Sequence, residues 1–139
     1  LNLLKFLRDD DTFDVDGYVS ALRRVRDRSV DVVVPRFDRM LEAAIAGSIR
    51  IATTTELVVT EGNYLLLDDL PWNQVRGVLA EVWYVDLPNE LRKARLVARH
   101  MRFGRTEQDA LEWVETTDEP NAQRIAQTSY KADLRVTWG

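Results

Sequence analysis

Short β-branched apolar runs, each ending at a proline or an acid, alternate with segments of helical period along nearly the whole chain. This alternation constrains the fold more than any other feature. Val30, Val32, Val33 and Val34 form one such run, stopped by Pro35. Residues 57–60 form a second that enters Glu61-Gly62, residues 82–85 a third that ends at Asp86, and residues 132–136 alternate like a final strand. Among the intervening segments, Tyr18, Val19, Leu22 and Val25 keep helical spacing behind Asp14 or Asp16 as a cap, and residues 37–46 read as a short helix followed by an extended piece at 49–51. Pro71 opens a helix over 72–79, and Leu91, Ala94, Val97, Ala98 and Met101 share one face of a long helix closed by Gly104. Thr106 to Asp109 resembles a capping box at the next helix, and Asp118-Glu119-Pro120 opens the last, to about residue 129. The pattern predicts an α/β fold, a three-layer doubly wound sheet that is mainly parallel, as a single domain over 1–139. Ligands of such sheets bind at the carboxyl ends of strands, which directs attention to 35–38, 61–64 and Asp86.

Composition removes several classes of function. Nineteen Lys and Arg against 23 Asp and Glu give a net charge of −4, so no chain-wide basic surface for nucleic acid exists. The chain has no cysteine, which excludes disulfides, thiolate metal sites and thiol catalysis and suits a reducing, cytoplasmic compartment. No apolar run approaches the roughly 20 residues of a membrane-spanning helix, so neither membrane nor nucleic acid is expected as a partner. The chain opens on Leu1 rather than Met, from which a fragment, a processed chain or part of a longer chain is expected.

Two constellations can carry chemistry. An apolar strand delivers Glu61 to the sheet edge beside Gly62, where a carboxylate holds Mg²⁺, directly or through water, or else caps a turn or pairs with an arginine. Arg92, Arg95, Arg99 and Arg102 step by three, four and three along one helical ridge, with Arg105 just beyond Gly104. Six of the nineteen cations and none of the acids fall between Arg92 and Arg105. That island suits an oligophosphate, which arginine grips bidentately, or is a solvated face paired with acids from elsewhere in the chain. His100, the only histidine, reads as a surface residue among arginines, and Tyr64, Trp83, Tyr84 and Trp113 read as core.

In order, these pieces resemble the uridine kinase and phosphoribulokinase branch of the P-loop kinases, with relatives among fructose-transport-kinase-like proteins and pantothenate kinases. The resemblance covers roughly residues 12–136. Thr12-Phe13-Asp14 looks like the family's Phe-Asp segment, and Pro35-Arg36-Phe37-Asp38 like its Pro-x-Tyr/Phe-Asp element beside the acceptor pocket. The run LVVTEGNYLL at 57–66 looks like the Walker B region. Residues 92–105 are similar to an arginine-rich lid helix of the form R-x-x-R-D-x-x-x-R-G-R, one residue shorter and with His100 in place of the aspartate. The segments beginning at Asp118 and Tyr130 look like the terminal helix and strand near the adenine.

The resemblance implies a P-loop NTPase-like fold and an ATP- and Mg²⁺-dependent phosphotransferase acting on a hydroxyl of a nucleoside, sugar or pantothenate-like molecule. It implies Glu61 at Mg²⁺, and Arg99, Arg102 and Arg105 closing over the phosphates from a lid-like segment at 92–117. Phe13, Asp14, Phe37, Asp38, Asn63 and Tyr64 are implied at the acceptor, and Pro120 and Asn121 near the adenine. The sequence contains no G-x-x-x-x-G-K-S/T loop and no segment like D-x-F-H, so the expectation is the C-terminal two-thirds of such a kinase, lacking the first strand, phosphate loop and helix. The alternative is a non-catalytic binding or regulatory module, whose exposed sheet edge favours a homodimer or another partner.

Overall fold

The computed structural model describes residues 14–38, 41 and 43–138. The chain divides after Ala80 into two compact units.

The first unit opens with α1 (Val15–Asp27). Asp14 caps it, its side chain accepting from the Gly17 N–H at 2.8 Å, and Arg28 ends it in the left-handed region at φ 57°. Tyr18 and Val19 face inward, as their spacing predicts. Next comes an antiparallel hairpin, β1 (Val32–Asp38) and β2 (Ala43–Ile51), with Val32 opposite Ile51 and Asp38 opposite Ala43. The register shifts between Val34 and Arg36, at Pro35, which has no N–H for the ladder. Val32, Val34 and Ile51 form the buried cluster, with Ala21, Val25, Ile49 and Val58 packed on it.

Three sequence expectations are corrected in this unit. Residues 37–46 are not helical: β1 continues to Asp38, and 43–46 belong to β2. Cross-strand pairing outweighs the helix propensity of the alanines there, because pairing completes the buried Val32–Ile51 face. Residues 57–60 form no strand among the described residues, and Leu57 is 77% and Val59 60% exposed. The helix expected at 72–79 is two 3₁₀ turns, Trp72–Gln74 and Arg76–Val78, around a fully buried Val75.

The second unit contains a parallel pair, β3 (Trp83–Asp86) and β4 (Leu134–Thr137), with Trp83 opposite Leu134 and Asp86 opposite Thr137. Parallel neighbours need a long crossover. Here it is α2 (Asn89–Arg102), α3 (Glu107–Trp113), a π turn (Val114–Asp118) and α4 (Glu119–Ala126). Val82 and Asp133 brace the entry to the pair: the Val82 N–H donates to the Asp133 carboxylate at 2.7 Å, and the Asp133 N–H donates to the Val82 carbonyl at 2.8 Å. Trp83, expected in the core, is 59% exposed, as is Val85 at 56%.

Among the described residues the strands therefore form one parallel and one antiparallel pair, both within a mixed α/β fold. No helix among them is long and apolar enough to cross a membrane.

Candidate functional site

In the first unit, Glu61 follows the irregular run 57–60 and is exposed. No hydrogen bond or ion pair engages its carboxylate among the described residues. Just before it, the Thr60 hydroxyl meets the buried Tyr18 hydroxyl at 2.9 Å. Burial raises the Tyr18 pKa above its ordinary value, the Thr60 bond offsets part of this, and the charge of Glu61 adds to the rise. A Cβ at Gly62 would meet the Leu65 side chain at 3.3 Å, so this turn is closed by Leu65. Asn63 is exposed, whereas Tyr64 is buried and tilted against Trp72 with centroids 5.4 Å apart.

The other residues implied at the acceptor are placed less uniformly. Phe13 lies outside the described residues. Asp14 spends its carboxylate on the α1 cap. Phe37 is placed by its backbone opposite Ala44, and the Asp38 carboxylate accepts from the Leu41 N–H at 3.2 Å and lies 3.7 Å from Arg36. A single exposed, unengaged carboxylate fits Mg²⁺, which keeps several waters and takes one or two protein carboxylates alongside substrate phosphates. Among the described residues no cluster of three or more His, Asp or Glu forms an all-protein cage.

In the second unit, α2 splits its cations between two faces. Arg92, Lys93, Leu96, Val97 and His100 are half-buried or buried, whereas Arg95, Arg99 and Arg102 are exposed. Arg92 pairs with Glu119, and the Lys93 ammonium lies 3.0 Å from Glu115 and 3.8 Å from Glu119. The Arg92 and Gln123 hydrogen bonds hold the Glu119 pKa below its ordinary value, and Glu115 raises that of Lys93. Among the described residues Arg95, Arg99 and Arg102 have no such partner. Arg105 is half-buried, its guanidinium 3.9 Å above the centroid of the Trp113 ring. It borders a cleft of about 290 Å³ with Asp109, Glu112, Trp113, Thr116 and Thr117. Pro120 and Asn121 lie in the first turn of α4, Pro120 exposed and Asn121 half-buried.

His100 corrects a sequence expectation. It is 5% exposed, not a surface residue, and its Nε2 lies 2.7 Å from the Asp118 carboxylate. The signal was its place four residues beyond Leu96 and eight beyond Arg92, on the inward stripe of the helix.

No family model matches the chain. The ATP-dependent kinase-like protein notR' of Aspergillus versicolor is 32% identical over 97 residues, 67% of this chain and 56% of that protein. A solved structure from Silicibacter sp. TM1040, provisionally described as a fructose transport system kinase, superposes with a TM-score of 0.76 at 29% identity, covering 94% of this chain and 62% of the other. YFH7 of Saccharomyces cerevisiae, provisionally described as a P-loop containing kinase with a circular permutation, superposes with a TM-score of 0.79 over 94% of this chain and 49% of its own. At 22% identity that likeness concerns the fold alone. The chain spans about half the length of the curated relatives it matches. The chain is thus similar in sequence to a protein named as an ATP-dependent kinase-like protein, and it has the fold of solved structures described as kinases, one of them of the P-loop kind.

Proposed function

We propose that the chain serves in ATP-dependent phosphoryl transfer to a hydroxyl of a small molecule, a nucleoside, a sugar or a pantothenate-like acceptor. The observation that carries this reading is the division of α2. Acids of α4 and the π turn engage Arg92, Lys93 and His100, while Arg95, Arg99 and Arg102 are exposed and unpaired among the described residues. A face that existed only for solubility would carry interspersed acids, and none occurs between Arg92 and Arg105.

In the transfer, a bond forms between the acceptor oxygen and the γ-phosphorus, the bond from that phosphorus to the β–γ bridging oxygen breaks, and the hydroxyl proton is released. The protein's contribution to such a step is positioning and charge stabilisation. Arg99, Arg102 and Arg105 supply planar donors to phosphate oxygens, as a lid over 92–117. Mg²⁺, when bound, neutralises charge on the phosphate oxygens, and Glu61 is the residue that would hold it. Asp38 and Asn63 are assigned to the acceptor with Asp14, Phe37, Tyr64 and Phe13, and Pro120 and Asn121 to the adenine. A cytoplasmic location and a homodimer complete the reading, the latter suggested by the exposed Trp83 and Val85 on β3.

The test is calorimetric Mg·ATP binding and ATP-dependent transfer to a panel of hydroxyl acceptors by the full chain, with Arg99→Ala and Arg105→Ala alongside. Loss of an arginine that clamps the transferring group lowers turnover on the order of 10²-fold. Turnover within about threefold of wild type in both variants overturns the phosphate role. Absence of Mg·ATP binding by the wild type favours the non-catalytic binding module instead.

A further inference from the structure

His100 stands where the lid pattern has an aspartate, and its place in the second unit gives that departure a use. Glu115, Asp118 and Glu119 follow i, i+3, i+4 spacing through the π turn into α4, and each engages one or two groups of α2. The pairs of Glu115 and Glu119 lie at the start of α2; Asp118 alone reaches its last turn. π turns are uncommon, strain the hydrogen-bond ladder and concentrate at functional sites. This one ends at Asp118, the residue that meets His100.

From His100 two routes lead to Arg105. The first is backbone: the His100 carbonyl accepts the Arg105 N–H at 3.2 Å and the Phe103 N–H at 3.1 Å, closing the turn in which Gly104 has φ +96°. The second runs through rings: the His100 imidazole stands at 61° to Trp113 with centroids 6.5 Å apart, and Trp113 carries the Arg105 guanidinium on its face. Trp113 is itself flanked by the fully buried Ala110 and Val114, three residues before and one after it. The sequence Asp118, His100, Trp113, Arg105 is thus a continuous set of contacts that begins in a part-buried hydrogen bond and ends at an arginine without an ion pair among the described residues.

We infer that His100 and Asp118 form a positioning pair that holds the Trp113 ring, and through it the plane of the Arg105 guanidinium. The pair touches no phosphate; it fixes the direction in which Arg105 presents its donors. An arginine tethered in this way has less rotamer freedom to lose when it engages an anion than the free Arg95, Arg99 and Arg102. The catalytic consequence rests on the phosphotransferase reading above, whereas the positioning itself does not.

The experiment joins two readouts on the full chain. Protons of the Arg105 side chain above the indole carry an upfield ring-current shift, followed by NMR; turnover of Mg·ATP with water as acceptor gives kcat and the KM for ATP. His100→Leu removes the donor, and His100→Gln returns an N–H close to the place of Nε2. The expected result is loss of the Arg105 shift in His100→Leu with kcat lowered about tenfold and KM for ATP within about twofold, and recovery of the shift and of kcat to within about threefold in His100→Gln. A retained ring-current shift in His100→Leu overturns the proposal, as does a His100→Gln variant that melts like wild type yet recovers nothing. Should His100→Leu fail to fold, Asp118→Ala decides by the same shift, since Asp118 is more exposed and His100 stays in place. If wild type turns over no ATP, the kinase reading falls while the Arg105 shift still judges the pair.

Discussion

Arg92 and Glu119 join α2 to α4 through an ion pair whose side chains are only 23% and 15% exposed. One guanidinium nitrogen of Arg92, Nη1, is buried with no hydrogen-bond partner among the described residues. The guanidinium is therefore already underserved, and its charged partner matters more than an exposed one would. Removing one member of a shielded pair strands the other, whereas replacing the cation by an apolar side chain of similar length removes the desolvation problem with it. Glu119→Gln is expected to lower the melting temperature by several degrees and Arg92→Met by clearly less, read by thermal unfolding at neutral pH. Equal losses in the two variants would show that the pair acts by attraction alone.

Asp31 gives the first unit an acid-sensitive tie. Its carboxylate accepts the Thr53 N–H at 2.9 Å and the Arg50 Nε–H at 2.7 Å, joining the residue before β1 to the turn after β2. The Thr53 hydrogen bond and then the Arg50 bond hold its pKa below the ordinary value. A carboxylate whose folded pKa is depressed contributes stability that is fully present above the unfolded value of about 4 and is lost as pH falls through the lower folded one. Asp31→Asn is therefore expected to lower the urea midpoint at pH 6, with the gap to wild type narrowing as pH falls below about 4. A gap that stays constant over that range would show that the Asp31 contacts act without their charge.

These ties explain what the sequence alone conveyed and what it did not. The long helix was legible because Leu91 to Met101 repeats at helical spacing and Gly104, at φ +96°, stops it. The strands at Trp83 and Leu134 were legible from short alternation, within one or two residues of their observed bounds. The hairpin was not, because Ala43, Ala44 and Ala46 favour a helix locally and only pairing to the preceding strand β1 overrides them. At residues 57–60 the composition is that of a strand, but a strand needs a partner, which local composition cannot supply. Of the candidate site, Glu61 and the outward arginines could be found from spacing. The inward place of His100 was legible from the same spacing, but its partner was not, since Asp118 lies eighteen residues away and depends on the π turn to face it.

Asp14 offers a separation between a structural and an acceptor role. Its cap on the Gly17 N–H is worth about 1 kcal/mol, and Asn caps as well as Asp. Asp14→Ala is expected to lose about that much stability and Asp14→Asn only a few tenths. A Cβ at position 17 would meet the Asp14 Oδ2 at 2.2 Å, so Gly17→Ala displaces the cap. The helix-propensity gain of roughly 1 kcal/mol for Gly→Ala nearly cancels that loss. Urea titration of the three variants checks the ordering. An Asp14→Asn chain of wild-type stability that loses phosphoryl transfer would assign the carboxylate to the acceptor as well.

Gly104 links the stability of the turn after α2 to its geometry. At φ +96° a side chain is strained even though nothing lies within 4 Å of the place a Cβ would take, so the cost of Gly104→Ala is conformational rather than steric. That cost is about 1 kcal/mol or slightly more. The turn it closes carries the Arg105 N–H to the His100 carbonyl, so relief of the strain comes at that bond first. The expected outcome is a modest fall in melting temperature together with faster amide hydrogen exchange at Arg105, while amides in the middle of α2 keep their protection. Uniformly faster exchange along α2 would mean that the turn and the helix open as one unit, and that Gly104 holds the whole helix rather than the arginine beyond it.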